Sequence, residues 1–374
     1  MMAGQNSFNY TEPRFGSTIK DDIKHLKIKD DLRGEYKDLK EYFLSEDLKD
    51  KAETMGKFNR LFVIPWWLFK SLYFKLTPFR RLLALAGIIF LVLSTQTKSG
   101  SGDASFNFQI FALLSGLSFL FVIALELKDK LHAKTELEEG RSVQKALTPD
   151  ALPVVEGWDI WLYTQPANDV GGDLLDYLNI TEERVGISVG DVAGKGLSAA
   201  LLMAKLQSTI RAIIPDYKSL ADLGKKINHI FCRDSLPRLF ASLVYIELKT
   251  GTGKIRILNA GHLPPVILRN GDIEKLEITS PALGIIPQAK FKEQTVRLKD
   301  NETIVVYSDG LTEAKNEEGE FFGGDRLEKL LTEVVDKTSK DAGEFILNRI
   351  IQFTTNAKSH DDLTIAIIKR NETG

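Results

Sequence analysis

Hydrophobic and polar positions are unevenly distributed along the chain. Residues 1–57 are polar and of mixed charge, as in Lys20-Asp21-Asp22 and Lys29-Asp30-Asp31. Ile19, Ile23 and Leu26 fall at helical spacing, which predicts a solvated, partly helical tail. From residue 58 to 127 the chain turns apolar. Leu61 to Phe74 carries Trp66, Trp67 and Tyr73 around Pro65, with Lys70 and Lys75 between them, the pattern of a segment lying at a bilayer surface. Two uncharged runs follow. Residues 82–97 would make a helix about 24 Å long and residues 105–125 one of about 31 Å, against a hydrocarbon core of ~30 Å. Arg80 and Arg81 precede the first run, Lys128, Lys130 and Lys134 follow the second, and the polar turn between them has only Lys98. This bias predicts a transmembrane hairpin with both ends in the cytoplasm. A buried soluble helical hairpin is the alternative, and would leave the protein cytoplasmic.

Residues 128–150 are charged and helix-compatible. Gly140 interrupts their apolar positions, and Pro149 and Pro153 end them, which predicts a linker helix, either a spacer or a dimerising element. Residues 151–374 change pattern again. Strand-like runs occur at 158–165, 185–189, 242–248, 254–259, 303–307 and 363–369, with turns at Gly251–Gly253 and Asn270-Gly271. Helical stretches are predicted near 198–214, 220–231 and 343–353. Hairpins instead of regular β-α-β alternation point to antiparallel sheets covered by helices.

Composition narrows the function classes. The 374 residues carry 49 Lys and Arg against 51 Asp and Glu, a balance that argues against a dedicated nucleic-acid binder. The single cysteine, Cys232, excludes an intrachain disulfide framework and a Cys-based zinc cluster. With only 5 His, chemistry is expected to rest on oxygen ligands. Asn168-Asp-Val-Gly-Gly-Asp173-Leu-Leu-Asp176-Tyr is followed by Gly190-Asp191-Val-Ala-Gly194-Lys195-Gly196, and Ile180–Arg184 between them is turn-like. A hairpin centred near Glu182 pairs Asp173 with Asp191, Leu175 with Val189 and Tyr177 with Ile187, all on one face. Two carboxylates with Cβ atoms ~5 Å apart raise one pKa or demand a cation, and a hard divalent metal answers that demand. A slip of one residue would undo the pairing. Asp309 ends another strand, and Asp361 and Asp362 open the last one; an Asp at a strand end is by itself an ordinary turn former.

Five motifs in order, Val-Gly-Gly-Asp173, Gly-Asp191-Val-Ala-Gly-Lys-Gly196, Asn259-Ala-Gly-His-Leu-Pro-Pro265, Ser308-Asp-Gly-Leu-Thr-Glu-Ala314 and Asp361-Asp-Leu-Thr364, resemble the sporulation-E/RsbU-type serine phosphatases of the metal-dependent phosphatase 2C-like (PPM) superfamily. The resemblance covers about residues 140–370. It implies an α+β fold, an αββα sandwich of two antiparallel sheets flanked by helices, with two Mn²⁺ or Mg²⁺ ions at one edge. It implies metal ligation by Asp173 and by Asp191 as the bridge, help from the Val192 carbonyl, and second-metal carboxylates from Asp309 and Asp361. Asp362 is left as ligand, neighbour of a ligand or strand cap. The implied reaction is hydrolysis of phosphoserine or phosphothreonine by direct attack of metal-bound water. The implied substrate is a STAS-type anti-sigma-factor antagonist in a bacterial partner-switching pathway, with a homodimer formed through the linker helix. A non-catalytic phosphoprotein-binding module or membrane sensor scaffold on the same fold is the alternative.

Other motif residues have two readings each. Gly194 and Gly196 are expected to permit the turn into a helix whose N-terminus favours an anion. Lys195 holds phosphate or is a solvated turn lysine. His262 is a general acid or, preferably, a structural turn residue. His360 is read as exposed or supporting. Where the family has Gly-x-x-Leu-Gly, this chain has Ser280-Pro-Ala-Leu-Gly284, so that loop's shape is left open.

Overall fold

The computed structural model describes residues 34–372 apart from 35, 38, 41–42, 97–102, 150–152, 235–238, 270 and 356–360. The expectations for the tail before residue 34, the polar turn after residue 97, Asn270 and His360 therefore lie outside the described residues. The chain divides into two compact units, Met1–Lys130 and Leu131–Gly374.

In the first unit, helices α1 (Glu46–Thr54) and α2 (Lys57–Lys75) bury Leu44, Ala52, Ile64 and Leu68 against each other. The opposite face of α2 exposes Phe58, Phe62, Trp66 and Phe69. Helix α3 (Pro78–Gln96) is longer than the uncharged run, because its first turn takes in Pro78, Arg80 and Arg81. Proline suits a helix start, where its missing N–H would be unpaired anyway. Arg80 reaches Glu126 at 2.7 Å and Asp129 at 2.6 Å on helix α4 (Asp103–Leu147). Helix α4 runs unbroken through Gly140 into the second unit, since one glycine costs only about 1 kcal/mol in a long helix. By length and composition, α3 and α4 are apolar enough to form a membrane hairpin.

The second unit is a sandwich. Strands β1 (Trp158–Gln165), β2 (Asp173–Thr181) and β3 (Arg184–Val192) lead into helices α5 (Leu197–Ile213) and α6 (Leu220–Asp234). Strands β4 (Ala241–Lys249), β5 (Lys254–Ala260), β6 (Val266–Arg269), β7 (Asp272–Lys275), β8 (Glu293–Arg297) and β9 (Thr303–Tyr307) follow. A single helical turn α7 (Asp309–Thr312), helices α8 (Gly323–Thr332) and α9 (Ser339–Thr354), and strand β10 (Leu363–Arg370) complete the chain. One antiparallel sheet has the order β1-β10-β9-β6-β7 and the other β2-β3-β4-β5-β8. Between them lie Ile160, Leu175, Ile187, Val189, Val244, Ile257, Ile304, Val306 and Ala366. Helices α5 and α6 cover one outer face through Leu206, Ile210, Leu223 and Ile227. Helices α8 and α9 cover the other through Leu331 and Ile346. Helix α5 is also long and apolar, but its apolar stripe is spent on the sheet.

Strands β6, β7 and β8 and helix α8 lie outside the predicted runs; β6 is only four residues long. Strands β7 and β8 are short and exposed, and polar residues such as Glu293 and Arg297 hide the alternation. Helix α8 begins at a glycine pair, which reads as a loop.

Candidate active site

The β2–β3 hairpin has the expected register: Asp173 faces Asp191, Leu175 faces Val189 and Tyr177 faces Ile187. Leu175, Ile187 and Val189 belong to the core between the sheets, so alternation sends both carboxylates to the mouth of that same core. The other sheet delivers the remaining acids there. Asp309 follows β9, and Asp361 and Asp362 precede β10, its antiparallel neighbour. Gly310 lies against the backbone of Asp361 and Asp362 so closely that a Cβ would strike the Asp362 carbonyl oxygen. A side chain there would push the two segments apart, which is why a glycine follows Asp309.

Burial and mutual repulsion mark the cluster. The Asp173 carboxyl is pushed well above the usual range, first by burial and then by Asp191 and Asp362. Asp191 rises to about 6, through burial and then through Asp309, Asp361 and Asp362. Asp309 is raised by burial and by Asp361. The Asp173 Oδ2 atom is buried without a hydrogen-bond partner. Gly172, next to Asp173, leaves room for the Val192 carbonyl oxygen and Asp191 Oδ1, which a side chain there would crowd. Among the described residues no three His, Cys, Asp or Glu side chains close around a single point. Bare like charges repel one another, and a small hard cation keeps several waters and needs only one or two carboxylates. An orphaned buried carboxylate oxygen within an all-oxygen donor set fits such an ion.

The remaining motif residues fall into distinct roles. Asp362 is a strut, accepting hydrogen bonds from the backbone N–H of Ala167 at 2.8 Å, Gly172 at 2.6 Å and Asp173 at 3.3 Å. It ties β10 of one sheet to the start of β2 in the other, and its carboxylate fills the space that a Cβ on Gly171 would need. His262 is a second strut across the same mouth. Its Nδ1 lies 2.7 Å from Ser242 Oγ, and Ser242 pairs with Asp191 in the sheet. Its Nε2 lies 3.2 Å from the Tyr307 carbonyl oxygen, two residues before Asp309. A carbonyl only accepts, so Nε2 carries the proton and Nδ1 accepts from the serine. Burial lowers the imidazole pKa to about 4. Buried and bonded at both nitrogens, the neutral His262 ring bridges the two sheets at this mouth, with its Nε2–H engaged by the Tyr307 carbonyl. Lys195 is an exposed turn lysine whose Nζ lies 3.1 Å from Asp361 Oδ2. Gly194 and Gly196 have φ of 120° and 70°, the conformation that favours glycine, and Gly196 caps α5.

Sequence reasoning missed Gln144, whose side chain donates to the Gly171 carbonyl at 2.7 Å and accepts from its N–H at 3.1 Å. It also gave no role to Asp176, which is buried and held by Arg211 at 2.6 and 2.7 Å. The alternation of β2 was the available signal, since it turns Asp176 to the face opposite Asp173.

The sequence model of stage II sporulation protein E (SpoIIE) matches residues 181–371, taking in Asp191, Asp309 and Asp361. Protein IcfG of Synechocystis sp. is 28% identical over 291 residues, 68% of this chain and 46% of that protein. Phosphoserine phosphatase RsbU of Bacillus subtilis is 26% identical over 239 residues, 63% of this chain and 70% of that protein. This chain thus spans less than half the length of IcfG. Among solved structures, the SiaA-PP2C domain of Pseudomonas aeruginosa aligns with a TM-score of 0.57 at 20% identity, over 65% of this chain and 99% of that domain. That likeness is one of fold: the two-sheet sandwich is a PP2C-type architecture. The match over 181–371 spans more than half of the sequence, and the chain belongs to the stage II sporulation protein E (SpoIIE) family.

Proposed function

We propose that the chain is a metal-dependent phosphoserine/phosphothreonine protein phosphatase tethered to the cytoplasmic membrane. The observation that carries this reading is the facing Asp173–Asp191 pair, both raised in pKa, with one oxygen of the buried Asp173 carboxyl left without a hydrogen-bond partner. Asp173 and Asp191, with the Val192 carbonyl, would hold one Mn²⁺ or Mg²⁺, and Asp309 and Asp361 would supply the carboxylates for a second. The ions, when bound, neutralise charge on a phosphoryl group and make water acidic enough to act near neutral pH.

The chain's own residues set the geometry. Asp362 holds the loop that leads into Asp173, and His262 joins the strand beside Asp191 to the strand that ends before Asp309. Lys195 balances Asp361 until a cation takes up that charge. RsbU is named a phosphoserine phosphatase, and the substrate we infer here is of the same kind: a phosphorylated STAS-type anti-sigma-factor antagonist in a partner-switching pathway. We assign residues 1–57 to an N-terminal tail, 58–127 to a membrane segment with its hairpin, 128–150 to a linker that dimerises, and 151–374 to the phosphatase domain. The test is release of phosphate from a phosphoserine-bearing STAS protein by the full chain with Mn²⁺. Activity that is lost on chelation and in Asp191→Asn supports the reading; no turnover with any divalent metal or phosphoprotein overturns it.

A further inference from the structure

Beside the carboxylates lies a cavity of about 610 Å³, bordered by Asp173 and Asp362. One wall comes from the strands and the loop before β2, and includes Thr164 and Asp173. The other is the last two turns of α4, with Arg141, Gln144 and Lys145. These three occupy positions i, i+3 and i+4, and so share one face of the helix.

That helix face is fixed in place. The two hydrogen bonds of Gln144 to Gly171 hold it against the segment two residues before Asp173. One turn later, the carbonyl of Leu147 accepts from the buried Gln207 of α5 at 2.7 Å. Arg141 and Lys145 therefore line a space whose other wall includes Asp173 and Asp362. Neither cation is paired with a carboxylate among the described residues. A cavity with cations on one wall and a metal-seeking carboxylate on the other suits a group that is anionic and can also share a metal ion. A phosphoryl group has both properties, and a guanidinium fork matches two of its oxygens.

We propose that Arg141 and Lys145, supplied by the end of the linker helix, bind the phosphoryl oxygens of the substrate. This assignment rests on the phosphatase reading and names the residues that recognise the phosphate within it. It also makes phosphate affinity a property of the helix that continues from the membrane segment.

The probe is inorganic phosphate, titrated calorimetrically into the full chain in detergent with saturating Mn²⁺, alongside its inhibition constant and the KM for a phosphoserine protein. Arg141→Ala is expected to weaken phosphate binding and raise KM by about tenfold or more, the usual effect of losing a charge-assisted hydrogen bond. The Mn²⁺ dissociation constant should stay within about twofold, since Arg141 is outside the ion's donor set. Arg141→Lys should recover part of the affinity, because charge remains and the fork does not. Unchanged phosphate affinity and KM in Arg141→Ala and in Lys145→Ala would overturn the assignment. So would a parallel loss of Mn²⁺ binding, which would mark the helix as scaffolding only. Arg141-dependent phosphate binding in a protein that hydrolyses no phosphoester would uphold the assignment and overturn the phosphatase reading.

Discussion

Asp191→Asn separates the needs of the site from those of the fold. In the metal-free protein, the Asp191 carboxyl is raised from 3.8 to about 6 by burial and by Asp309, Asp361 and Asp362. At about 1.4 kcal/mol per pH unit, its ionised form carries a penalty near 3 kcal/mol. Asp191 is only half-buried, so solvent screening reduces this to about 2 kcal/mol. The sign follows from the direction of the shift. A carboxyl that holds its proton more tightly in the folded state lends the fold stability below about pH 4, and that stability is lost as pH rises through about 6. Asn has no proton to lose. Without metal at pH 7.5, Asp191→Asn should therefore melt higher than wild type, by about 4–8 °C at 2–4 °C per kcal/mol. The gap should close towards pH 4. With Mn²⁺ the order reverses, because an ion at 100 times its dissociation constant adds about 2.7 kcal/mol to a protein that binds it. The assay is thermal unfolding of the full chain in detergent, followed by tryptophan fluorescence, with chelator or with Mn²⁺. A variant that melts below wild type in chelator, or one that still gains from Mn²⁺, would refute the reasoning.

Three further outcomes are expected. Burial holds the His262 pKa near 4 against 6.5 for the free group, so the folded state resists the imidazolium. The His262 contribution alone should fall by about 3 kcal/mol as pH drops from 6.5 to 4, read in urea unfolding as the stability difference between wild type and His262→Gln, which share the carboxyl titrations. Arg211→Met removes the bidentate partner of buried Asp176 and should cost about 2–3 kcal/mol in urea unfolding, less than for a fully buried pair because Arg211 is partly exposed. Mn²⁺ affinity should not change, because Asp176 faces away from the site. Gly171→Ala would drive a methyl group into the Asp362 carboxylate and should cost about 1–3 kcal/mol by overpacking. It should also weaken Mn²⁺ binding, since Asp362 holds the Asp173 backbone; calorimetry measures both effects.

Local pattern sufficed where one strand or helix buries one face. The alternation of Leu175, Tyr177, Ile187 and Val189 sets the β2–β3 register, because a slip of one residue would turn that apolar set to solvent. The same logic placed Asp173 opposite Asp191 and made the long apolar runs of α3 and α4 legible. The family's motifs then named Asp309 and Asp361, which spacing alone left as turn formers. What sequence could not supply was any relation between the two sheets. Sequence leaves His262 as a turn residue or general acid and Asp362 as ligand, neighbour of a ligand or strand cap, and the hydrogen bonds that join one sheet to the other through both are visible only in the fold. Gln144, read as part of a charged linker, meets Gly171 only once α4 is laid beside the sandwich. A strand's own periodicity records which side chains are buried, whereas the partner of a buried polar group lies far away in the chain and is chosen by packing.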